Sequence, residues 1–99
     1  MSDPNYDDEQ VDDMAGNRVP AAVSRSVLDY VARSIVDDPD SVVVETEEAR
    51  YGTTLRLHVA PDDMGKVIGR RGRVAQALRA VVRAAGARDR VDVQVDIVD

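Results

Sequence analysis

Apolar positions change their spacing several times along the chain, and each change marks a new element. Between about Pro20 and Asp37, Val23, Val27, Leu28, Val31 and Ile35 recur at steps of three and four, which places them on one helical face. Pro20 suits a first helical turn, and Asp37-Asp38-Pro39 stops the helix. "SVVVETEE" and "TTLRLHVA" are rich in β-branched residues and are joined by "ARYG", whose Gly52 can take the positive φ that a tight connection often needs. In the second stretch Leu55, Leu57 and Val59 alternate with Arg56 and His58, the pattern of a half-buried strand. The first has three consecutive valines, but its β-propensity and its neighbour predict a hairpin.

Pro61 begins a short helix with Asp62 and Asp63 in its first turn, where negative charge favours the positive end of the helix dipole. Gly69 is placed to end it. After Gly72 comes the clearest helix, with Val74, Ala77, Leu78, Val81, Val82 and Ala85 as its buried stripe, Gln76, Arg79 and Arg83 opposite, and Gly86 closing it. "VDVQVDIVD" alternates again, with Val91, Val93, Val95 and Ile97 on one face. The predicted order is α-β-β-α-α-β, an α+β class in which helices on one face of a sheet bury all these stripes together.

Composition limits what such a fold can do. Ninety-nine residues suit one domain with a modest core. The apolar stretches are far short of the ~20 residues that span a bilayer, and the N-terminus lacks a signal peptide's basic start and apolar centre. A soluble cytoplasmic protein without a membrane partner is expected. No cysteine is present, so disulfides, thiolate nucleophiles and thiolate metal sites are excluded.

The formal net charge is -6, yet its distribution matters more than its sum. Six carboxylates precede the first basic residue, Arg18, and residues 1–17 have too little apolar content to offset ordering entropy. They are expected to form an acidic disordered tail before a domain over residues 18–99. Six carboxylates on a flexible segment could compete weakly with a polyanion for a basic surface, or simply aid solubility. Between positions 65 and 90, eight basic side chains face only Asp89, a local footprint for a polyanion. Several of these arginines would serve equally well as solvated helix faces.

That charge centres on "VIGRRGR", residues 67–73. A four-residue break between two helices needs a sharp change of direction, which glycine permits at little cost. Without a Cβ, the backbone near Gly69 and Gly72 can approach a phosphate closely, and the helix starting near Arg73 adds its dipole. Arg70 and Arg71 supply charge at the tip. A plain helix-turn-helix corner with incidental arginines would show the same loop, and G-x-x-G alone is a weak signal.

In its context the motif is more specific. "VIGRRGR" at a helix junction, after a hairpin and before a terminal strand, resembles the KH domain, whose loop clamps about four nucleotides by their backbone. The element order is similar to the prokaryotic type II KH fold, with a three-stranded mixed sheet and helices packed on one face. The opening helix with "IVDDPDSVVV" and the block "HVAPDDMGKVIGRRGRVAQALRAVV" resemble the small bacterial stand-alone RNA-binding proteins of the KhpA family. The resemblance covers residues from about 20 to 98 and does not reach the tail. It implies single-stranded RNA binding through Lys66, Val67, Ile68, Gly69, Arg70, Arg71, Gly72, Arg73 and Val74. Val67, Ile68, Val74 and Leu78 would floor an aliphatic groove, although Val74 and Leu78 also suit ordinary core packing. It further implies an RNA chaperone or post-transcriptional regulator, homodimerisation, and a heterodimer with a larger KhpB/Jag-like protein. Arg88 and Arg90, in the connection "GARDR", would widen the basic surface.

Other functions find little support. His58 is the sole histidine, on the polar side of its strand, and no second histidine or cysteine can complete a nucleophile pair or metal cluster. Asp62 and Asp63 are adjacent and do not face each other on a helix. The glycines fit neither the Walker spacing nor G-x-G-x-x-G, so no enzyme and no cofactor are expected. An RNA recognition motif would need sheet aromatics, and the chain has no Phe or Trp. A protein-protein adaptor that keeps the KH fold is the remaining alternative.

Overall fold

The computed structural model describes residues 21–99. The acidic tail expected over residues 1–17 lies outside the described residues, as does Pro20. The elements are α1 (Ala22–Ile35), β1 (Val43–Ala49), β2 (Gly52–His58), α2 (Met64–Ile68), α3 (Arg73–Asp89) and β3 (Val93–Val98), in the predicted order. Single 3-10 turns at Pro39–Ser41, Pro61–Asp63 and Arg70–Gly72 join them.

β2 is the central strand. It pairs antiparallel with β1, Val44 opposite Leu57 and Thr46 opposite Leu55, and parallel with β3, Leu55 opposite Val95 and Leu57 opposite Ile97. The sheet is therefore mixed, and the parallel pair requires a crossover, which α2 and α3 supply. Val44, Leu55, Leu57 and Val93 point to the covered face and meet Leu28, Ala32, Val67, Leu78 and Val82 in one core. The opposite face carries charge: Arg56 pairs with Glu47, and His58 Nε2 lies 2.8 Å from Glu45 Oε1. His58 is thus on the polar face of its strand, as its alternation implies, and is half-buried there.

Both long helices are rotated from the sequence expectation. α1 buries Ser24, Leu28 and Ala32, while Val23 remains 42% exposed. α3 buries Ala75, Leu78, Val82, Ala85 and Gly86, and Ala77 and Val81 face outward. Ser24 and Gly86 explain the shift, since small residues sit where another segment approaches most closely. At Gly86 a Cβ would lie 3.0 Å from Val93 Cγ2 and 3.1 Å from the Val91 carbonyl. Gly86 therefore does not close α3, which runs on to Asp89, and Arg90 takes the left-handed conformation at its end (φ 59°). The segment 86–89 is correspondingly helix rather than a connecting loop. Gly52 is corrected in a similar way, because it is not among the positive-φ residues. A Cβ there would meet the Asp92 carbonyl at 2.7 Å, so the position is needed for close approach of β2 to the chain entering β3.

Carboxylates tie the ends of α1. Its first turn has no cap of its own, and Asp89 accepts hydrogen bonds from the Ser24 N–H and Oγ–H, both at 2.9 Å, with the Val23 N–H at 3.4 Å. This places negative charge on the positive end of the helix. At the far end Asp63, 2% exposed, accepts from the N–H groups of Asp37 and Asp38 at 3.1 and 3.0 Å. Asp63 was expected to act through the dipole of its own helix; it serves the turn after α1 instead. Arg25 and Arg33 donate to the carbonyls of Val44 and Val42, holding α1 along the sheet edge formed by β1.

Candidate nucleic-acid interface

The corner between α2 and α3 is built by backbone conformations that few residues reach. Gly69 ends α2 at φ 75°, ψ 173°, with its N–H donating to the Gly65 carbonyl at 2.8 Å. Gly72 starts α3 at φ 73°, ψ 16°, and its N–H donates to the Gly69 carbonyl at 3.1 Å. Between them Arg71 is left-handed at φ 56°, ψ 26°. For a non-glycine residue this costs on the order of 1–2 kcal/mol, and such strain tends to gather at functional sites. The two glycines differ in their surroundings. A Cβ on Gly69 would overlap Val74, whose own Cβ and N would lie 2.8 and 2.9 Å away, whereas a Cβ on Gly72 would meet nothing within 4 Å.

This geometry presents charge outward. Arg70, Arg71 and Arg73 are exposed and make no hydrogen bond or ion pair among the described residues. No side chain caps the first turn of α3, so its positive end is open beside three free guanidinium groups. Ile68 is 38% exposed and Val74 partly buried, giving an apolar margin to the corner. Val67 and Leu78, at 0% and 2% exposure, lie in the core. They support the corner from beneath and offer no side-chain surface to a ligand. The structure thus brings together Lys66, Ile68 and residues 69–74 at one end of the domain, while Arg88 and Arg90 stand at the opposite end of α3.

Lys66 differs from the loop arginines. Its Nζ lies 3.0 Å from Asp37 Oδ2, and the hydrogen bond and charge of Asp37 raise its pKa above the usual lysine value. Asp63 adds a smaller contribution in the same direction. Sequence patterning missed both acids, because Asp37 and Asp38 look like a helix stop and Asp63 like a first-turn charge. Their link to α2 crosses 25 or more positions of chain, and no local periodicity encodes it. Among the described residues no group of three His, Cys, Asp or Glu could hold a metal ion, and no helix is long and apolar enough to cross a membrane.

Comparison with known proteins gives concordant matches. The family model described as the KhpA/KhpB KH domain matches residues 25–97. The chain is 47% identical over 79 residues to a protein named RNA-binding protein KhpA from Mycobacterium tuberculosis, covering 80% of this chain and 95% of that one. It is 51% identical over 72 residues to one of the same name from Streptomyces coelicolor, covering 73% and 87%. A third, from Clostridium acetobutylicum, is 43% identical over 74 residues, covering 75% and 99%. No solved structure matches.

Proposed function

Because this chain belongs to the KhpA/KhpB KH-domain family, we propose that it is a non-catalytic module that binds RNA, as the names of its relatives state for them, and that it takes the RNA single-stranded with the Gly69-Arg70-Arg71-Gly72 loop as the clamp. One observation carries this proposal: two unpaired, exposed arginines are held between positive-φ glycines at the uncapped start of a long helix. Phosphates would sit against Arg70, Arg71 and Arg73, and bases would lie against Ile68 and Val74. Without sheet aromatics, base contact rests on aliphatic surface and edge hydrogen bonds. An RNA chaperone or post-transcriptional regulator working in the cytoplasm fits such a module, since three cations and a small apolar margin give modest, reversible binding.

A module that grips about four nucleotides gains from pairing through effective concentration. The proposal therefore includes a homodimer, or a heterodimer with a KhpB/Jag-like protein. An adaptor role finds its support in α1, where Ala22, Val23, Ser26, Val27 and Tyr30 line an open, largely apolar depression. The two roles separate in one experiment. Arg70→Asp/Arg71→Asp protein should lose detectable binding to a labelled single-stranded RNA in fluorescence anisotropy while keeping its thermal midpoint. Retained RNA affinity in the folded double variant would remove the loop from the interface. For three phosphates, log affinity should fall with log salt at a slope of about -2, from roughly -0.7 per phosphate on a single strand.

A further inference from the structure

Among the described residues at the loop, Lys66 is the basic side chain that is already engaged. Its partner, Asp37, belongs to the turn after α1, and a separate residue holds that turn in place. Asp63, buried just before α2, accepts the N–H groups of Asp37 and Asp38. Because the latch uses backbone donors, the turn stays where it is whatever side chain position 37 carries. The Asp37 carboxylate then reaches back to Lys66, one turn further along the helix that Asp63 precedes. The side chains of the pair are 81% and 42% exposed, so solvent screens it and it adds little to stability. A latch built for stability would not need this surface charge pair, yet it lies one turn from Gly69 and consumes one of four cations there.

We propose that Asp37 limits the affinity of the loop for phosphate: it acts as a fixed internal counter-ion that holds Lys66 out of the phosphate path, so that the loop grips RNA with three cations instead of four. This inference rests on the RNA-binding function proposed above. A phosphate that recruits Lys66 must compete with a carboxylate already 3.0 Å from its Nζ. A polyanion that meets the loop in passing therefore finds less charge than the sequence carries. Asp37→Asn removes the competitor while retaining the backbone donor to Asp63.

Freeing one cation should steepen the log-log salt slope by about 0.7, from about -2 to about -3. If the two proteins bind equally at about 1 M salt, the same relation makes the affinity gain on the order of eight-fold at about 50 mM monovalent salt and three-fold at about 200 mM. The test is anisotropy of a labelled 12-nucleotide RNA of random sequence with wild type, Asp37→Asn, Lys66→Met, the double variant and the Arg70→Asp/Arg71→Asp protein, across that salt range. Asp37→Asn should tighten binding, Lys66→Met should bind no tighter than wild type because it uncovers the Asp37 carboxylate, and the gain should vanish when both changes are combined, leaving the double variant close to wild type. Unchanged affinity in Asp37→Asn, a gain that survives in the double variant, or a double variant that binds far more weakly than wild type would each overturn the proposal. An Asp37→Asn protein that unfolds would also overturn it, by showing that the side chain holds the turn. If wild type binds, the loop variant does not, and Asp37→Asn changes nothing, this inference falls while the RNA-binding function stands. Failure of folded wild type to bind any RNA would overturn both.

Discussion

Gly69 and Gly72 look equivalent in the motif, and the structure separates them. Gly69→Ala asks a side chain to adopt φ 75°, ψ 173°, a region open almost only to glycine, at a cost of about 1–3 kcal/mol. It also drives a methyl group into Val74, and overpacking of this kind typically adds about 1–3 kcal/mol. Gly72→Ala meets a left-handed conformation with open space around it, costing about 1–2 kcal/mol. Each kcal/mol moves the midpoint of a domain this size by about 4–8 °C. Scanning calorimetry should therefore place Gly72→Ala roughly 4–16 °C below wild type and Gly69→Ala about twice as far below or more. Adding Val74→Ala to Gly69→Ala should recover only part of the difference, because the backbone strain and the contact with the Val74 N remain. Equal losses for the two single alanine variants, or the reverse order, would refute this account of the corner.

The carboxylate anchors are testable in the same way. Asp63→Ala leaves two part-buried N–H groups without their acceptor and should cost about 1–3 kcal/mol in urea unfolding, with an unchanged stability counting against the latch. Asp89→Ala removes the cap of α1 and should cost about 1–2 kcal/mol, with faster hydrogen exchange at Val23 and Ser24; unchanged exchange there would show that the helix start does not depend on it.

Much of the fold follows from patterns shorter than ten residues. Leu55 and Leu57 alternate with Arg56 and His58, and the structure puts them on opposite faces. The glycine pair at 69 and 72 announces the corner, because two breaks so close together cannot belong to one helix. What the patterns miss depends on the distance between segments. Gly86 resembles a helix end, yet it lies inside α3 because β3 approaches it, and the left-handed cap falls on Arg90, a residue type that gives no warning. Val23 and Val81 fit an apolar stripe and still face outward, since Ser24 and Gly86 let α1 and the entry to β3 pack closer than larger side chains would. The loop arginines were legible as charge, whereas the pairing of Lys66 with Asp37 was not, because its partner and the acid that positions that partner come from separate turns.

The two carboxylates that tie α1 give this helix a mechanical role. Asp63 stands just before α2 and Asp89 ends α3, so the helices flanking the loop are fastened to opposite ends of one rod of 14 residues, about 21 Å long. Such a rod is a brace. Opening or closing the α2–α3 corner would pull on a member that scarcely stretches, and one anchor would have to give first. A ligand bound at the loop, as proposed above, would meet a corner whose angle is set before it arrives, so little of its binding energy would go into shaping the site. The stiffness comes from a helix that bears none of the loop's charge and lies more than 30 positions upstream of it.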